Sequence, residues 1–216
     1  VKGTSDPYGL RRNALAVLAL IRASGADLDL EKAFRAALLE YRDLVENTDE
    51  ALKSVITFFV DRQTVMARDD GHSHDYVAAA TSIHGARPLQ VQRCLEALRA
   101  LQDTQIQNLA EQAKRMQRIA KEPADSIDPA LLDDNERALY ALYADRGSIV
   151  IGHVESGDFD QAMSELVSWA PVISTYFEEV LVNSDDARIR GNRHALIQAV
   201  LAAIQQAADF TQIEKR

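Results

Sequence analysis

The sequence predicts an all-α protein, and three observations support this fold class. Hydrophobic residues recur every three or four positions along nearly the whole chain, which is the spacing of residues on one helix face. Only nine of the 216 residues are glycine and five are proline, so few positions interrupt the periodic segments. Hydrophobic residues make up 47% of the chain, which is enough to form a packed core.

The first predicted helix lies within residues 5–25. Asp6 is expected to cap its first turn, Pro7 to occupy its first helical position and Gly25 to end it. The same hydrophobic spacing and similar end signals predict nine more helices. They cover residues 30–45, 49–68, 74–84, 88–101, 104–121, 129–155, 158–169, 171–182 and 185–208.

One segment, residues 148–154 (SIVIGHV), has the density of β-branched residues that is typical of a strand. No second segment of the chain offers a strand with which it could pair. We therefore predict that these residues are helical and that the protein contains no β-sheet.

The formal net charge of −9 argues against a general nucleic-acid coat, because non-specific phosphate binding requires a broad positive potential. Any nucleic-acid site must therefore be a local group of cations. The single cysteine, Cys94, excludes an internal disulfide and is expected to be a buried small side chain. No apolar run is as long as a membrane span, and no signal-peptide pattern is present. These features predict a soluble cytoplasmic protein, and the first residue, Val1, suggests a piece of a longer chain.

Catalytic motifs are scarce in this sequence. It has no phosphate-binding glycine loop, no nucleophile elbow and no paired histidines at the helical spacing of a metal site, so we assign no catalytic residue. His72, His74 and Asp75 could offer ligands to a metal. Exposed loop histidines are common, and Asp75 is suited to the first turn of the next helix. We therefore predict no metal site.

A group of cations lies near the end of the helix predicted at residues 104–121. Lys114, Arg118 and Lys121 are spaced at i, i+4 and i+7, with Arg115 beside them, so one helix face presents several positive charges. Such a face can hold a phosphate backbone. Cations near a helix C-terminus also interact favourably with the helix dipole. The spacing alone does not decide between these two interpretations.

Arg193 occupies a position that the pattern of its helix assigns to a hydrophobic residue. Ile189, Arg193, Leu196 and Val200 follow one another at helical spacing, so the guanidinium is expected on the buried face. A buried arginine keeps its charge and needs a partner. The partner could be an RNA group or an internal carboxylate, and we favour an internal one. The candidate carboxylates are those of Asp61, Glu178 and Glu179.

Several segments together resemble the β subunit of bacterial glycyl-tRNA synthetase. Residues 176–213 resemble its C-terminal end, which belongs with the DALR-type anticodon-binding domains, and KGTSDPYGLRRNALAVLALI at residues 2–21 resembles an upstream segment. Similar landmarks occur, in the family's order, at residues 56–80, 109–121 and 125–140.

The resemblance implies the C-terminal portion of a much larger subunit. Residues 1–48 would be the last helices of an HD-like domain, and residues 49–216 a helical anticodon-binding domain. The partners would be tRNA(Gly) and the synthetase α subunit. ATP and magnesium would be used elsewhere in the holoenzyme, with no cofactor and no catalytic residue in this part.

The resemblance also suggests an RNA-facing set of basic and amide side chains, and the Asn192 amide is one candidate for reading the cytosines of a glycine anticodon. Departures from the family pattern occur at Glu178, Glu179, Asn183, His194 and Gln63. The predicted RNA-facing residues are Arg62, Lys114, Arg115, Arg118, Arg190, Asn192 and Arg193. Among these, Arg62 and Arg193 are the two that we most expect to have a structural role instead of an RNA contact.

Two alternatives remain open at the level of sequence. The first is a helical scaffold that binds protein and not RNA, which would present an exposed apolar patch. The second is an HD-type metal phosphohydrolase, which we disfavour because we do not recognise its set of metal ligands in the chain.

Overall fold

The computed structural model describes residue 6, residues 8–121 and residues 126–215. Within these ranges every regular element is helical, which confirms the predicted all-α class and the helical prediction for residues 148–154. The α-helices are α1 (Leu10–Ser24), α2 (Leu30–Glu40), α3 (Thr48–Asp69), α4 (His74–His84), α5 (Pro88–Ala100), α6 (Asp103–Ile119), α7 (Asp134–Ser156), α8 (Phe159–Glu179) and α9 (Ala187–Gln205). Short 3₁₀ turns lie at Pro129–Leu131 and Phe210–Gln212.

The helix ends follow local chemistry. At the N-caps of five of the described α-helices, side-chain oxygens accept hydrogen bonds from backbone N–H groups in the first turn, which are otherwise unpaired. Gly25 and Gly157 end α1 and α7 in the left-handed conformation that glycine adopts readily. The capping residues are Asp29, Asn47, Asp133, Asp158 and Asp186.

The predicted start of the first helix is wrong. Asp6 does not cap it, because the backbone carbonyl of Asp6 instead accepts a hydrogen bond from the N–H of Gly9 in a turn, at 3.1 Å. The helix begins at Leu10, with Gly9 in the left-handed conformation at the N-cap. The expected position of Pro7 lies outside the described residues.

Two predicted helices, 158–169 and 171–182, form the single helix α8. Pro171 lies inside it, although a proline provides no N–H to bond the carbonyl four residues earlier. Trp169 and Ile173, on either side, are both 0% exposed, so tertiary packing holds the helix together across the missing hydrogen bond. In contrast, residues 129–155 are not one helix, because Asp133 starts a new capped helix after the 3₁₀ turn.

The chain divides into two compact units, residues 1–95 and 96–216, so the division falls within α5. The boundary predicted between residues 48 and 49 lies inside the first unit. There α3 packs against α1 and α2, and its Phe59 ring lies 5.0 Å from that of Phe34. Helices α1 to α3 and the start of α5 share one core. Its buried members are Ala14, Leu18, Ile21, Leu30, Phe59 and Leu89.

The second unit is a bundle of α6 to α9. Helix α7 packs against α8 and α9, and α6 packs against α8, α9 and the C-terminal 3₁₀ turn. Large side chains from α7, α8, α9 and this turn fill the centre of the bundle, so its interior is apolar. Side chains that are at most 2% exposed there include Leu139, Phe159, Met163, Leu166, Trp169, Tyr176, Leu196 and Phe210.

Two glycine substitutions test the packing and the helix at residues 148–154. A Cβ on Gly85 would lie 2.8 Å from Cγ2 of Val60, so Gly85→Ala forces α3 and α4 apart and is expected to cost about 1–3 kcal/mol.

A Cβ on Gly152 meets nothing within 4 Å, so Gly152→Ala is expected to stabilise α7 by about 0.5–1 kcal/mol. Urea denaturation followed by circular dichroism measures both. A loss of stability in Gly152→Ala would contradict a helix at these residues.

Candidate nucleic-acid interface

The polar contacts of the second unit concentrate at one end of the bundle. Here α6 and α8 end and α7 and α9 begin, and we call this region the loop end. Gln198 of α9 donates to the carbonyl of Ala120 at 3.2 Å, and Arg193 of α9 donates to the carbonyl of Leu181 at 2.7 Å. Helix α9 is therefore bonded to the segments that follow α6 and α8.

Arg193 has internal partners on three sides, as the sequence predicted. Its Nε donates to Oε1 of Glu136, its Nη1 to the Leu181 carbonyl, and its Nη2 lies 3.4 Å from Oδ2 of Asp133. The Arg193 side chain is 14% exposed and that of Glu136 only 1%. We call Arg193, Glu136, Asp133 and the Leu181 carbonyl the Arg193 cluster.

The carboxylates expected to pair with Arg193 are not its partners. Glu178 and Glu179 are exposed in the last turn of α8, and Glu178 accepts a hydrogen bond from the Ser174 hydroxyl. Asp61 belongs to the first unit, on α3. Glu136 could not be chosen from sequence because it is 57 residues away from Arg193 along the chain.

Glu136 also serves the start of α7. Its Oε2 accepts from the backbone N–H of Asp133 at 2.6 Å, while the Asp133 carboxylate accepts from the N–H of Glu136 at 2.9 Å. This reciprocal pair is a capping box. One buried carboxylate therefore accepts hydrogen bonds from both a backbone N–H at the start of α7 and the Arg193 guanidinium. These bonds offset much of the cost of burying two charges.

Tyr176 lies beside the Arg193 cluster and is 1% exposed. Burial raises the pKa of its phenol, the negative charges of Glu136 and Asp133 raise it further, and Arg193 opposes them. The hydroxyl therefore remains neutral at physiological pH, and Tyr176 acts as a core residue.

Asn192 fixes the loop that precedes α7. Its Oδ1 accepts from the backbone N–H of Asp128 at 2.6 Å, and its Nδ2 donates to the Asp128 carbonyl at 3.1 Å. Asn192 is 6% exposed. The amide considered for cytosine recognition is thus buried and bonded to the protein backbone in this structure.

Three other cations of the predicted set also bond to backbone carbonyls in the second unit. Lys114 donates to Ile213. Arg115 donates to Phe177 at 3.1 Å, and its guanidinium lies 4.4 Å from the centre of the Phe177 ring. Arg190 donates to Ser184 at 2.8 Å. Each of these side chains fastens one helix to a neighbouring segment or loop.

Arg118 differs from these cations because it is exposed in the last turn of α6. Lys121 follows it and is also exposed, and Arg188 is exposed in the first turn of α9. Among the described residues none of the three has an ion-pair partner. They are the cations of the loop end that remain available to a ligand. Lys121 and Arg188 were not in the predicted set, and their exposure is the feature that identifies them.

Arg62 lies in the first unit, on α3. Its guanidinium lies 3.8 Å from the centre of the Phe58 ring and donates to the Phe58 carbonyl at 2.9 Å, and its side chain is 18% exposed. The structure thus brings six of the seven predicted residues into the second unit and leaves Arg62 outside it.

His74 and Asp75 are adjacent in the chain, as in the dyad of an HD-type enzyme, but Asp75 is buried in the first turn of α4. Within the described ranges no group of three or more histidine, cysteine or acidic side chains is placed to hold a metal ion. No helix in the same ranges is long and apolar enough to span a bilayer. Cys94 is 0% exposed, as predicted, and burial raises its pKa.

The helical bundle has the fold of an anticodon-binding domain. Residues 101–215, which comprise nearly all of the second unit, match the family model of the DALR anticodon binding domain. Residues 1–82, in the first unit, match the family model of the glycyl-tRNA synthetase beta subunit.

Curated relatives cover nearly the whole chain. A glycine–tRNA ligase beta subunit of Syntrophus aciditrophicus is 34% identical over 98% of the chain and 31% of its own length. Those of Pseudomonas aeruginosa and Desulforapulum autotrophicum are each 30% identical, over 97% and 98% of the chain and 31% and 32% of their own lengths. The chain therefore spans about a third of the length of these relatives, in their C-terminal part. Through residues 101–215 the chain belongs to the DALR anticodon-binding domain family, and nearly its whole length is similar to the C-terminal part of glycyl-tRNA synthetase β subunits.

Breaking the Arg193 cluster is expected to destabilise the second unit. Arg193→Met leaves Glu136 buried without its cation and should cost about 3 kcal/mol of unfolding free energy. Chemical denaturation measures this loss. Arg118→Ala, which removes an exposed cation, is the control and should change stability by less than about 0.5 kcal/mol.

A second variant separates the ion pair from the capping box. Glu136→Gln keeps an acceptor for the N–H of Asp133 but removes the charge, so the double variant with Arg193→Met should lose less than the sum of the single losses. An Arg193→Met protein that melts like the wild type would show that the cluster does not stabilise the bundle.

Proposed function

We propose that this chain is the tRNA-binding C-terminal region of a glycyl-tRNA synthetase β subunit. In this role it recognises the anticodon of tRNA(Gly), so that the holoenzyme attaches glycine to the tRNA with ATP. The observation that carries the proposal is the DALR match over residues 101–215, which coincides with the helical bundle.

The loop end supports this assignment by its division of polar groups. Anticodon recognition requires a firm surface against which unstacked bases and their phosphates can be held. The Arg193 cluster and the Asn192–Asp128 bonds hold the segments around α9 in place. Arg118, Lys121 and Arg188 are left to contact phosphates. We therefore propose these three cations as the principal phosphate contacts, while Arg62 and Arg193 act in the fold.

The charge of the remaining surface is consistent with a local site. The chain as a whole carries a formal net charge of −9, so RNA is repelled from most of the molecule. Local cations at the loop end would then favour one orientation of the encounter. Base edges would be read by backbone groups or by side chains other than the buried Asn192.

The remaining steps of the reaction belong to other parts of the holoenzyme. We propose that the α subunit, joined to β in an α/β hetero-oligomer in the cytoplasm, activates glycine with ATP and magnesium. We propose no cofactor for this chain. The proposed domain division assigns the helices before α3 to an HD-like domain and those from α3 onward to the tRNA-binding part.

A nitrocellulose filter assay with tRNA(Gly) and an unrelated tRNA, each at two salt concentrations, tests the binding proposal. The chain should prefer tRNA(Gly), and the affinity should fall as salt rises because bound phosphates release counterions. The double variant Arg118→Ala, Lys121→Ala should weaken binding of both tRNAs. In a plot of log affinity against log salt concentration, its slope should be smaller in magnitude by about two, because two phosphate contacts are lost.

Arg146→Ala is the control for that assay, at a cation that bonds Glu165 at 3.2 Å and lies away from the loop end. Arg146 is exposed on α7, twelve residues after the start of the helix and therefore about 18 Å from the loop end along its axis. Its removal should leave the affinity and the salt slope unchanged. Equal, salt-insensitive retention of both tRNAs by the wild type would refute the proposed function.

The catalytic proposal has a separate test. Purified alone, the chain should support no glycine-dependent exchange between pyrophosphate and ATP, because the sequence lacks a recognisable ATP-binding motif. Radiolabelled pyrophosphate incorporation is compared with that of heat-inactivated protein. Exchange above this background would assign the chemistry to this chain and overturn the proposed division of labour.

A further inference from the structure

The segment that follows α8 holds one large apolar side chain, Leu181, in solvent at the loop end. Leu181 is 76% exposed, whereas Val180 and Val182 on either side of it are buried. The backbone is extended at Val180, and successive side chains of extended backbone point to opposite sides. The two valines therefore face the core, and Leu181 points outward.

Hydrogen bonds at both ends of this short stretch fix the backbone that carries Leu181. The N–H of Val180 donates to the carbonyl of Tyr176 at 2.8 Å, and Arg193 donates to the carbonyl of Leu181 at 2.7 Å. Single exposed apolar residues are common on protein surfaces. Leu181 differs from such residues because the Arg193 cluster fixes its position, so its side chain is presented to solvent at a defined place.

Leu181 lies on the segment next to the exposed cations of α6. Arg115 donates to the carbonyl of Phe177 at 3.1 Å, so the last turns of α6 and α8 lie side by side. Arg118 follows Arg115 by three residues on α6, and Leu181 follows Phe177 by four residues. A ligand held by Arg118 therefore has Leu181 on the neighbouring segment.

We propose that an unstacked base of the tRNA anticodon loop packs against the Leu181 side chain. This inference rests on the proposed function and adds a base contact to the phosphate contacts assigned above. Single-stranded RNA is bound by proteins through both kinds of contact, with cations on the backbone and apolar or aromatic side chains on the faces of unstacked bases.

Charge and size favour a base as the occupant. Exposed acidic residues flank Leu181 on both sides, with Glu178 and Glu179 before it and Asp185 and Asp186 after it. These carboxylates repel a phosphate or an anionic lipid head group, whereas the face of a base carries no net charge. A stable protein interface buries about 800 Å² on each partner, which is far more than one leucine side chain offers. A single planar base matches both the small area and the absence of charge.

The test compares the wild type with Leu181→Ala in the filter assay with tRNA(Gly). We expect binding to weaken by about tenfold, because apolar contact area is lost. The slope of log affinity against log salt concentration should stay unchanged, because no phosphate contact is lost. The melting temperature should also stay unchanged, since the side chain faces solvent. Leu181→Met keeps an apolar side chain of similar size and should bind like the wild type.

Leu181→Trp reports the contact directly. The chain contains a single tryptophan, Trp169, which is 0% exposed and supplies the background emission. An indole at position 181 can stack on a base. Addition of tRNA(Gly) should therefore quench the fluorescence of the variant and leave that of the wild type nearly constant.

Ile149→Ala is the matched control. Ile149 is a 39% exposed apolar residue of the same unit, fifteen residues after the start of α7 and therefore about 22 Å from the loop end along the helix axis. Its removal should leave the affinity unchanged.

The outcomes separate this inference from the proposed function. If the wild type prefers tRNA(Gly) and Leu181→Ala binds as tightly, the base contact is refuted and the proposed function stands. A reduced salt slope, a lowered melting temperature of Leu181→Ala or an equal loss in Ile149→Ala would also refute the base contact. So would a dimer of the wild type that Leu181→Ala dissociates without a change in tRNA affinity, since the occupant would then be a second copy. A wild type without preference for tRNA(Gly) overturns both proposals.

Discussion

The ion pair between Arg193 and Glu136 is the constraint on which the loop end of the second unit depends. Glu136 starts α7 through its capping box, and Arg193 extends that connection to the Leu181 carbonyl after α8. Because both charges are withdrawn from water, neither can lose its partner without leaving the other unpaired. The positions of three helices thus depend on one pair of side chains. This pair also holds in place the surface that the ends of these helices form.

Burial separates the basic residues of this region into two roles. Lys114, Arg115 and Arg190 donate hydrogen bonds to backbone carbonyls at helix C-termini or in loops. Carbonyls at these places have no partner within a helix. Arg118 and Lys121 remain exposed on the same helix as the first two. A row of cations at i, i+4 and i+7 is therefore not one functional face. Its first member completes the fold, and its later members are available to phosphates.

Local sequence predicted most of the secondary structure because the decisive signals were local. The bounds predicted for α4, residues 74–84, agree with the structure, and Gly25 ends α1 as predicted. Pro171 misled the prediction, since the packing of Trp169 and Ile173 outweighs one missing hydrogen bond. In the site, the spacing around Arg193 showed that an internal partner was needed. The identity of that partner depends on how α7 and α9 pack, which no local pattern records.

The two units differ in how completely they bury their large apolar side chains. Helices α8 and α9 of the second unit enclose their large apolar side chains, among them Trp169, Tyr176 and Leu196. In the first unit α1 buries Ala14, Leu18 and Ile21, while its Leu10 and Leu20 remain 46% and 68% exposed among the described residues. A bundle that completes its own core can act as a separate binding module.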